Sequence, residues 1–63
     1  MITDRYDILY YTEDGMFIEH YYDIELPKVG DMVYVNGRVV EVAALADYPS
    51  PNNSFRKMVY VKY

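Results

Sequence analysis

Apolar and polar residues alternate along most of this chain with the period of two that is typical of β-strands. Five alternating segments are separated by stretches rich in glycine, proline, asparagine and acidic residues; they cover residues 5–12, 16–24, 32–35, 38–44 and 57–63. The period of an amphipathic helix is absent from all of them, although residues 43–47 are compatible with a single helical turn. The pattern predicts an all-β protein.

The first two segments flank Glu13, Asp14 and Gly15. Three residues ending in glycine are typical of a hairpin in which a type I turn is followed by a left-handed residue. If Thr12 pairs with Met16, a regular ladder then sets Tyr10 opposite Ile18, Ile8 opposite His20, Tyr6 opposite Tyr22 and Arg5 opposite Asp23. The opposite charges of the last pair favour this register.

Asn36 and Gly37 separate the third and fourth segments. An Asn-Gly pair between alternating runs is the strongest short hairpin signal, because both turn positions need positive φ. Pro27 and Gly30 mark residues 26–31 as a connection, and residues 47–54 form a polar loop with two prolines.

Five short strands joined by turns predict a five-stranded antiparallel meander that forms a small, partly open β-barrel, Src-homology-3-like or OB-like. At 63 residues the chain has room for one domain, which we place at residues 1–63. Closure of a barrel is favourable because it removes exposed strand edges.

The predicted register assigns a face to each residue of the first hairpin. The predicted core face carries Tyr6, Ile8, Tyr10, Ile18, His20, Tyr22 and Ile24, joined by Val33, Val35, Val40, Val42, Val59 and Val61. The opposite face carries an apolar stripe with acidic neighbours, made by Leu9, Tyr11, Phe17 and Tyr21 with Asp7 and Glu19. Exposed apolar patches of this kind usually mark contact surfaces, so these six residues are the predicted partner-binding site. Alternatively, a barrel can bury both faces in part, and a register slip of one residue would exchange them.

Composition narrows the possible functions. The chain has nine Tyr, no Cys and a net charge of −4; residues 1–31 carry eight acidic and two basic residues, whereas residues 32–63 carry two acidic and four basic ones. Tyrosine is enriched at protein interfaces. The acidic half argues against ordinary nucleic-acid binding, which needs a basic surface. The absence of Cys, of an apolar leader and of any long apolar run leads us to expect a cytoplasmic protein that does not span a membrane.

Candidate chemical groups are few. His20 is the single histidine of the sequence. Its predicted cross-strand partner Ile8 has no group that could exchange a proton with it. No second soft metal ligand lies at a spacing typical of a metal site. No nucleophile or phosphate-binding motif occurs. We therefore expect neither an enzyme nor a cofactor or metal site. Tyr48, Asn52 and Asn53 lie in the longest predicted loop and are candidate loop contacts, although a solvated connection is the simpler interpretation.

Residues 26–33 read L-P-K-V-G-D-M-V, and residues 35–42 read V-N-G-R-V-V-E-V. This pattern resembles small β-barrel proteins encoded by phages and prophages. The matching residues are turn and core residues, so the resemblance implies a fold and carries over no site residue. It further implies either a small inhibitor of a host defence or regulatory protein, acting in the host cytoplasm, or an accessory structural protein.

Three functions follow as hypotheses. The first is a non-enzymatic protein-binding inhibitor or adaptor that uses the acidic, Tyr-rich face. We expect it to form a homodimer or a higher oligomer, of which the homodimer is the simplest assembly. The second is binding of a nucleotide or a short single strand by stacking Tyr residues, with phosphate contacts from Arg38, Arg56, Lys57 and Lys62. The third is a structural module that completes an oligomer.

Overall fold

The computed structural model of the protein describes residues 5–49 and 55–63. Within them lie five strands and no helix: β1 (Tyr6–Thr12), β2 (Phe17–Asp23), β3 (Met32–Val35), β4 (Arg38–Asp47) and β5 (Arg56–Lys62). The predicted all-β class and its five strands are confirmed. The helical turn considered for residues 43–47 is wrong, because β4 continues through this segment to Asp47 and pairs with β5.

The five strands form one curled sheet, a half-barrel in the order β2-β1-β5-β4-β3. The sheet is mixed, and the prediction of a purely antiparallel meander is wrong: β1 and β5 run parallel. The reason is the odd number of strands. Each connection reverses the chain direction, so the first and fifth strands of a meander point the same way and can pair only in parallel. The open side of the half-barrel therefore lies between β2 and β3, the two edge strands.

Both predicted hairpin turns are present. Thr12 donates its backbone N–H to the Met16 carbonyl at 2.8 Å, and Gly15 has φ of +92°. In the second turn Asn36 and Gly37 have φ of +51° and +80°, the signs that a type I′ turn requires. The predicted turn chemistry is thus confirmed at both positions.

The predicted register of β1 with β2 holds only next to the turn. Tyr11 faces Phe17 as expected, but a bulge follows, and from there Tyr10 pairs with Glu19 and Ile8 with Tyr21. A bulge sets one extra residue against the partner strand, so every later side chain changes face. His20 and Tyr22 consequently leave the predicted core face, and Tyr21 joins it.

The core lies on the concave side of the curled sheet. Its buried members come from four strands and are all aliphatic apart from one tyrosine: Ile8, Tyr10, Val35, Val40, Val42, Val59 and Val61. Tyr6, Ile18, Tyr21, Leu26 and Val33 pack against them in part. The predicted core residues of β1, β3, β4 and β5 are therefore confirmed, whereas Tyr22 and Ile24 are 64% and 61% exposed.

Candidate functional site

A row of aromatic rings crosses the outer, convex face of the sheet on three adjacent strands. Tyr11 on β1 lies between Phe17 on β2 and Tyr60 on β5, with ring centroids 5.6 Å apart in both pairs. Pairing fixes this row, because Tyr11 is in register with Phe17 on one side and with Tyr60 on the other. We call Phe17, Tyr11 and Tyr60 the outer aromatic row.

The outer aromatic row is accessible to a partner. Phe17 is 56% exposed, and Tyr11 and Tyr60 are half-buried. Leu9 and its parallel neighbour Met58, both half-buried, occupy the next register position along β1 and β5. The apolar surface is thus continuous across two strands and extends to a third. The sequence analysis did not identify Met58 and Tyr60 as site residues. Because they alternate with Val59 and Val61, which are buried, the sequence does indicate that they lie on the outer face. Only the parallel pairing of β5 with β1 brings them beside β1.

Asp7 lies beyond Leu9 and binds two side chains from neighbouring strands. Arg56 donates from Nε to Asp7 Oδ2 at 2.7 Å, and His20 Nε2 contacts Asp7 Oδ1. The hydrogen bond to Asp7 raises the pKa of the Arg56 guanidinium further above its usual range. Arg56 also lies over the Tyr48 ring, 4.9 Å from its centroid. Asp7 therefore joins β2, β1 and β5, and its charge is compensated within the protein.

The other predicted site residues separate into two groups. Leu9 and Asp7 flank the outer aromatic row, as expected from their alternation with Ile8 and Tyr10. Tyr21 lies on the concave side instead, with its ring 5.7 Å from that of Tyr10. The side chain of Glu19 accepts a hydrogen bond from the Asn36 backbone N–H at 2.7 Å, across the open side of the half-barrel.

The loop candidates are only partly placed. Tyr48 is half-buried next to Arg56. Asn52 and Asn53 lie outside the described residues, so their predicted role stays a prediction.

Four basic side chains predicted to contact phosphate are engaged within the protein. Arg56 binds Asp7, Lys57 donates to Asp47 at 2.8 Å, and Lys62 lies 3.6 Å from Glu41. Arg38 lies over the Tyr63 ring, 4.2 Å from its centroid. A phosphate group would have to compete with a carboxylate for three of these four cations, which argues against the nucleotide hypothesis.

The concave side ends at an open cleft between the edge strands β2 and β3. Tyr10 reaches this cleft and is only 6% exposed. Burial raises the pKa of its hydroxyl, and the nearby Asp23 carboxylate raises it further. The pKa of Tyr21 is also raised, chiefly because its hydroxyl donates a hydrogen bond to Glu19.

The raised pKa values of Tyr10 and Tyr21 predict that the protein loses stability at high pH. A folded-state pKa above the ordinary value of about 10 means that the fold favours the neutral hydroxyl. The contribution is complete below pH 10 and is lost as the pH rises through the raised pKa. We expect the free energy of unfolding, measured by urea titration between pH 9 and 11.5, to fall less steeply for Tyr10→Phe than for the wild type. Identical slopes would show that the Tyr10 hydroxyl titrates as it does in the unfolded chain.

Two kinds of feature are absent from the described parts of the chain. Residues 5–49 and 55–63 contain no group of three or more His, Cys, Asp or Glu side chains that could hold a metal ion. They also contain no helix of the length and apolar character needed to cross a membrane.

The chain was compared with models of protein families, with curated proteins and with solved structures, and none of the three comparisons gave a match.

Proposed function

We propose that this protein is a non-enzymatic protein-binding module whose contact surface is the outer aromatic row with Leu9 and Met58. The observation that carries the proposal is the row itself, in which three aromatic rings from three strands meet on a sheet face that stays accessible. Aromatic side chains are the residue type most enriched at the energetic centres of interfaces. A rigid sheet also presents them at little entropic cost, because few side-chain torsions need to be fixed on binding.

The resemblance to small phage-encoded barrels supports a more specific version, in which the partner is a host defence or regulatory protein and the site of action is the host cytoplasm. Under this proposal the fold belongs with the small Src-homology-3-like or OB-like barrels, and no cofactor takes part. The negative charge of residues 1–31 favours a partner with a basic surface, since opposite potentials speed the encounter.

A second copy of the chain is the competing occupant of the same face. A 63-residue domain buries about 60% of its unfolded surface on folding, a smaller share than a larger domain buries, and dimerisation would extend that burial. The two occupants are distinguished by the assembly state of the purified protein.

The test is a double variant, Tyr11→Ala with Phe17→Ala, against the matched control Met32→Ala with Val39→Ala. The control removes two exposed apolar side chains on β3 and β4. Truncating one central interface residue costs about 2 kcal/mol or more, so we expect binding at least about 30-fold weaker for the test pair. Tagged proteins are incubated with host lysate, the captured proteins are identified by mass spectrometry, and sedimentation velocity reports self-association. Tyr21 is left intact because it packs on the core.

If the test pair and the control pair retain the same partners and the same assembly state as the wild type, the outer aromatic row is not the contact surface. Loss of self-association alone would identify the second copy as the occupant. Loss of a captured protein with unchanged assembly state would identify a heterologous partner.

A further inference from the structure

The open side of the half-barrel forms a cleft that the proposed outer surface does not use. It has a volume of about 650 Å³ where it lies between β1, β3 and the connection from β2 to β3, and a second hollow of about 270 Å³ adjoins it. The two hollows share Tyr10, Asp23 and Val33 in their walls. We call the two adjoining hollows the β2–β3 cleft.

The walls of the β2–β3 cleft are strongly acidic. Asp23, Glu25 and Asp31 line the larger hollow, and Lys28 is the single basic residue among the described residues that line it. The remaining walls are aromatic or aliphatic, from Tyr6, Tyr10, Leu26 and Val33 among others. The cleft thus combines a net negative charge with apolar surface and ring faces.

Tyr10 provides an independent sign that the cleft takes a polar ligand. The residue is 94% buried, since only 6% of it is exposed, and none of the hydrogen bonds among the described residues involves its hydroxyl. No fully enclosed polar side-chain atom of the described residues lacks a partner, so the hydroxyl oxygen opens onto the cleft that the residue lines. The buried ring holds this hydroxyl, which can both donate and accept a hydrogen bond, at the wall of the cleft. Burial and the nearby Asp23 carboxylate both raise its pKa, so the hydroxyl is neutral beside that carboxylate.

An organic cation is the ligand that these groups recognise best. A carboxylate forms charge-assisted hydrogen bonds with ammonium and guanidinium groups, tyrosine rings attract cations over their faces, and aliphatic walls pack against methylene stems. An anion is repelled by the three carboxylates. A metal ion is poorly served, because among residues 5–49 and 55–63 no three suitable ligands converge.

The edges of the cleft indicate which kind of molecule carries the cation. Its two sides are the edge strands β2 and β3, which have no hydrogen-bonded neighbour on that side among residues 5–49 and 55–63. Edge strands accept extended peptide segments by backbone hydrogen bonding, and side chains of the added segment then enter pockets beside the sheet. An extended segment with a Lys or Arg residue can therefore pair with a strand edge through its backbone and place a cation in the cleft.

We propose that the β2–β3 cleft binds the side-chain cation of a Lys or Arg residue carried by an extended segment of a partner protein. Asp23 pairs with the cation, and the Tyr10 hydroxyl oxygen accepts one of its N–H groups. Leu26 and Val33 contact the methylene stem. This site lies on the concave side of the sheet and is independent of the outer aromatic row.

The test uses blocked pentapeptides, acetyl-Thr-Val-X-Val-Thr-amide, in which X is Arg, Lys or norleucine. Binding is followed by ¹⁵N-HSQC titration of the full chain. We expect the Arg and Lys peptides to shift resonances of the residues that line the cleft, and the norleucine peptide to bind about tenfold or more weakly. Affinity for the charged peptides falls as NaCl is raised from about 50 to about 500 mM, because the pair is screened.

Three variants make the test specific. Asp23→Asn retains the oxygen that accepts the Glu25 backbone N–H and removes the charge; we expect it to weaken the Arg peptide about tenfold. Tyr10→Phe removes only the hydroxyl and is expected to weaken it about threefold. Asp14→Asn makes the same change of charge on the first hairpin turn and is expected to leave the affinity unchanged.

Equal affinity for the Arg and norleucine peptides, or wild-type affinity in Asp23→Asn, would overturn the proposal. If acetyl-arginine methylamide binds as tightly as the Arg pentapeptide, the cation belongs to a small molecule and the peptide part of the proposal is wrong. The variant with Tyr11→Ala and Phe17→Ala is expected to bind the Arg peptide normally, so failure of the outer surface and failure of the cleft give different results.

Discussion

Replacing Ile8 by Ala is expected to lower the free energy of unfolding by about 3 kcal/mol or more. Ile8 is 1% exposed and lies on β1, an interior strand of the sheet with β2 and β5 as its neighbours. Removing three buried carbon atoms loses their transfer free energy and leaves a cavity, which together cost about 2–5 kcal/mol. Domains of this size are stable by only about 3–9 kcal/mol at ~0.05–0.15 kcal/mol per residue. A large part of the fold's stability therefore depends on one side chain.

Urea unfolding monitored by circular dichroism measures this effect. Ile8→Val should cost about 0.5–1.5 kcal/mol, because it removes a single methyl group. Val39→Ala serves as the exposed control; Val39 is 62% exposed, and its replacement should change stability by less than about 0.5 kcal/mol. A cost for Ile8→Ala no larger than that for Val39→Ala would contradict the burial of Ile8 in the core.

A disulfide between β1 and β5 is expected to stabilise the protein by about 2–4 kcal/mol relative to its reduced form. Leu9 and Met58 are parallel partners on the outer face. Paired strands lie about 4.8 Å apart, within the range of Cα separations that a disulfide spans. The variant Leu9→Cys with Met58→Cys closes a loop of about fifty residues, and long loops gain the most in the chain-entropy model. The wild-type chain has no Cys that could interfere.

The informative comparison is Leu9→Cys with Lys62→Cys. Lys62 stands four residues further along β5, roughly 13 Å away at ~3.3 Å per residue, so this variant should remain reduced under mild oxidation. Free thiols are counted by mass after alkylation, and thermal unfolding compares oxidised with reduced protein. Efficient crosslinking of the control pair, with none in the test pair, would be incompatible with the parallel register.

Local chemistry made much of the fold predictable from sequence. Gly15 and the Asn36-Gly37 pair specify their turns through backbone conformation alone, so each can be recognised without knowledge of the rest of the chain. Alternation within each strand likewise identifies Val40, Val42, Val59 and Val61 as core residues, because the side chains of a strand point to alternate faces.

The errors arose where a distant strand or an irregularity decides the outcome. The bulge next to Tyr11 places His20 on the same face as Asp7. The sequence around Ile18 does not predict this bulge, since it contains neither Gly nor Pro. The parallel pairing of β1 with β5 joins segments at opposite ends of the chain, where local patterns carry no information.

The candidate site shows the same division between local and long-range information. Tyr11 and Phe17 were predicted together because they face each other next to a recognisable turn. Tyr60 belongs to the outer aromatic row only because β5 pairs with β1, which are far apart in the sequence. Tyr21 lies on the concave side, opposite to the prediction, because it follows the bulge.

The parallel pairing of β1 with β5 also constrains when the protein can fold. The ion pair between Asp7 and Arg56 joins residues 49 positions apart, and the whole β1–β5 ladder has a similar separation. Contacts of such long range require a large loop to close before any pairing is gained, and they slow folding. On the ribosome, β1 and β2 emerge as a hairpin whose apolar face has no partner until β5 has been synthesised. Two-stranded hairpins are marginal in water, so we expect the sheet to assemble only after β5 is available.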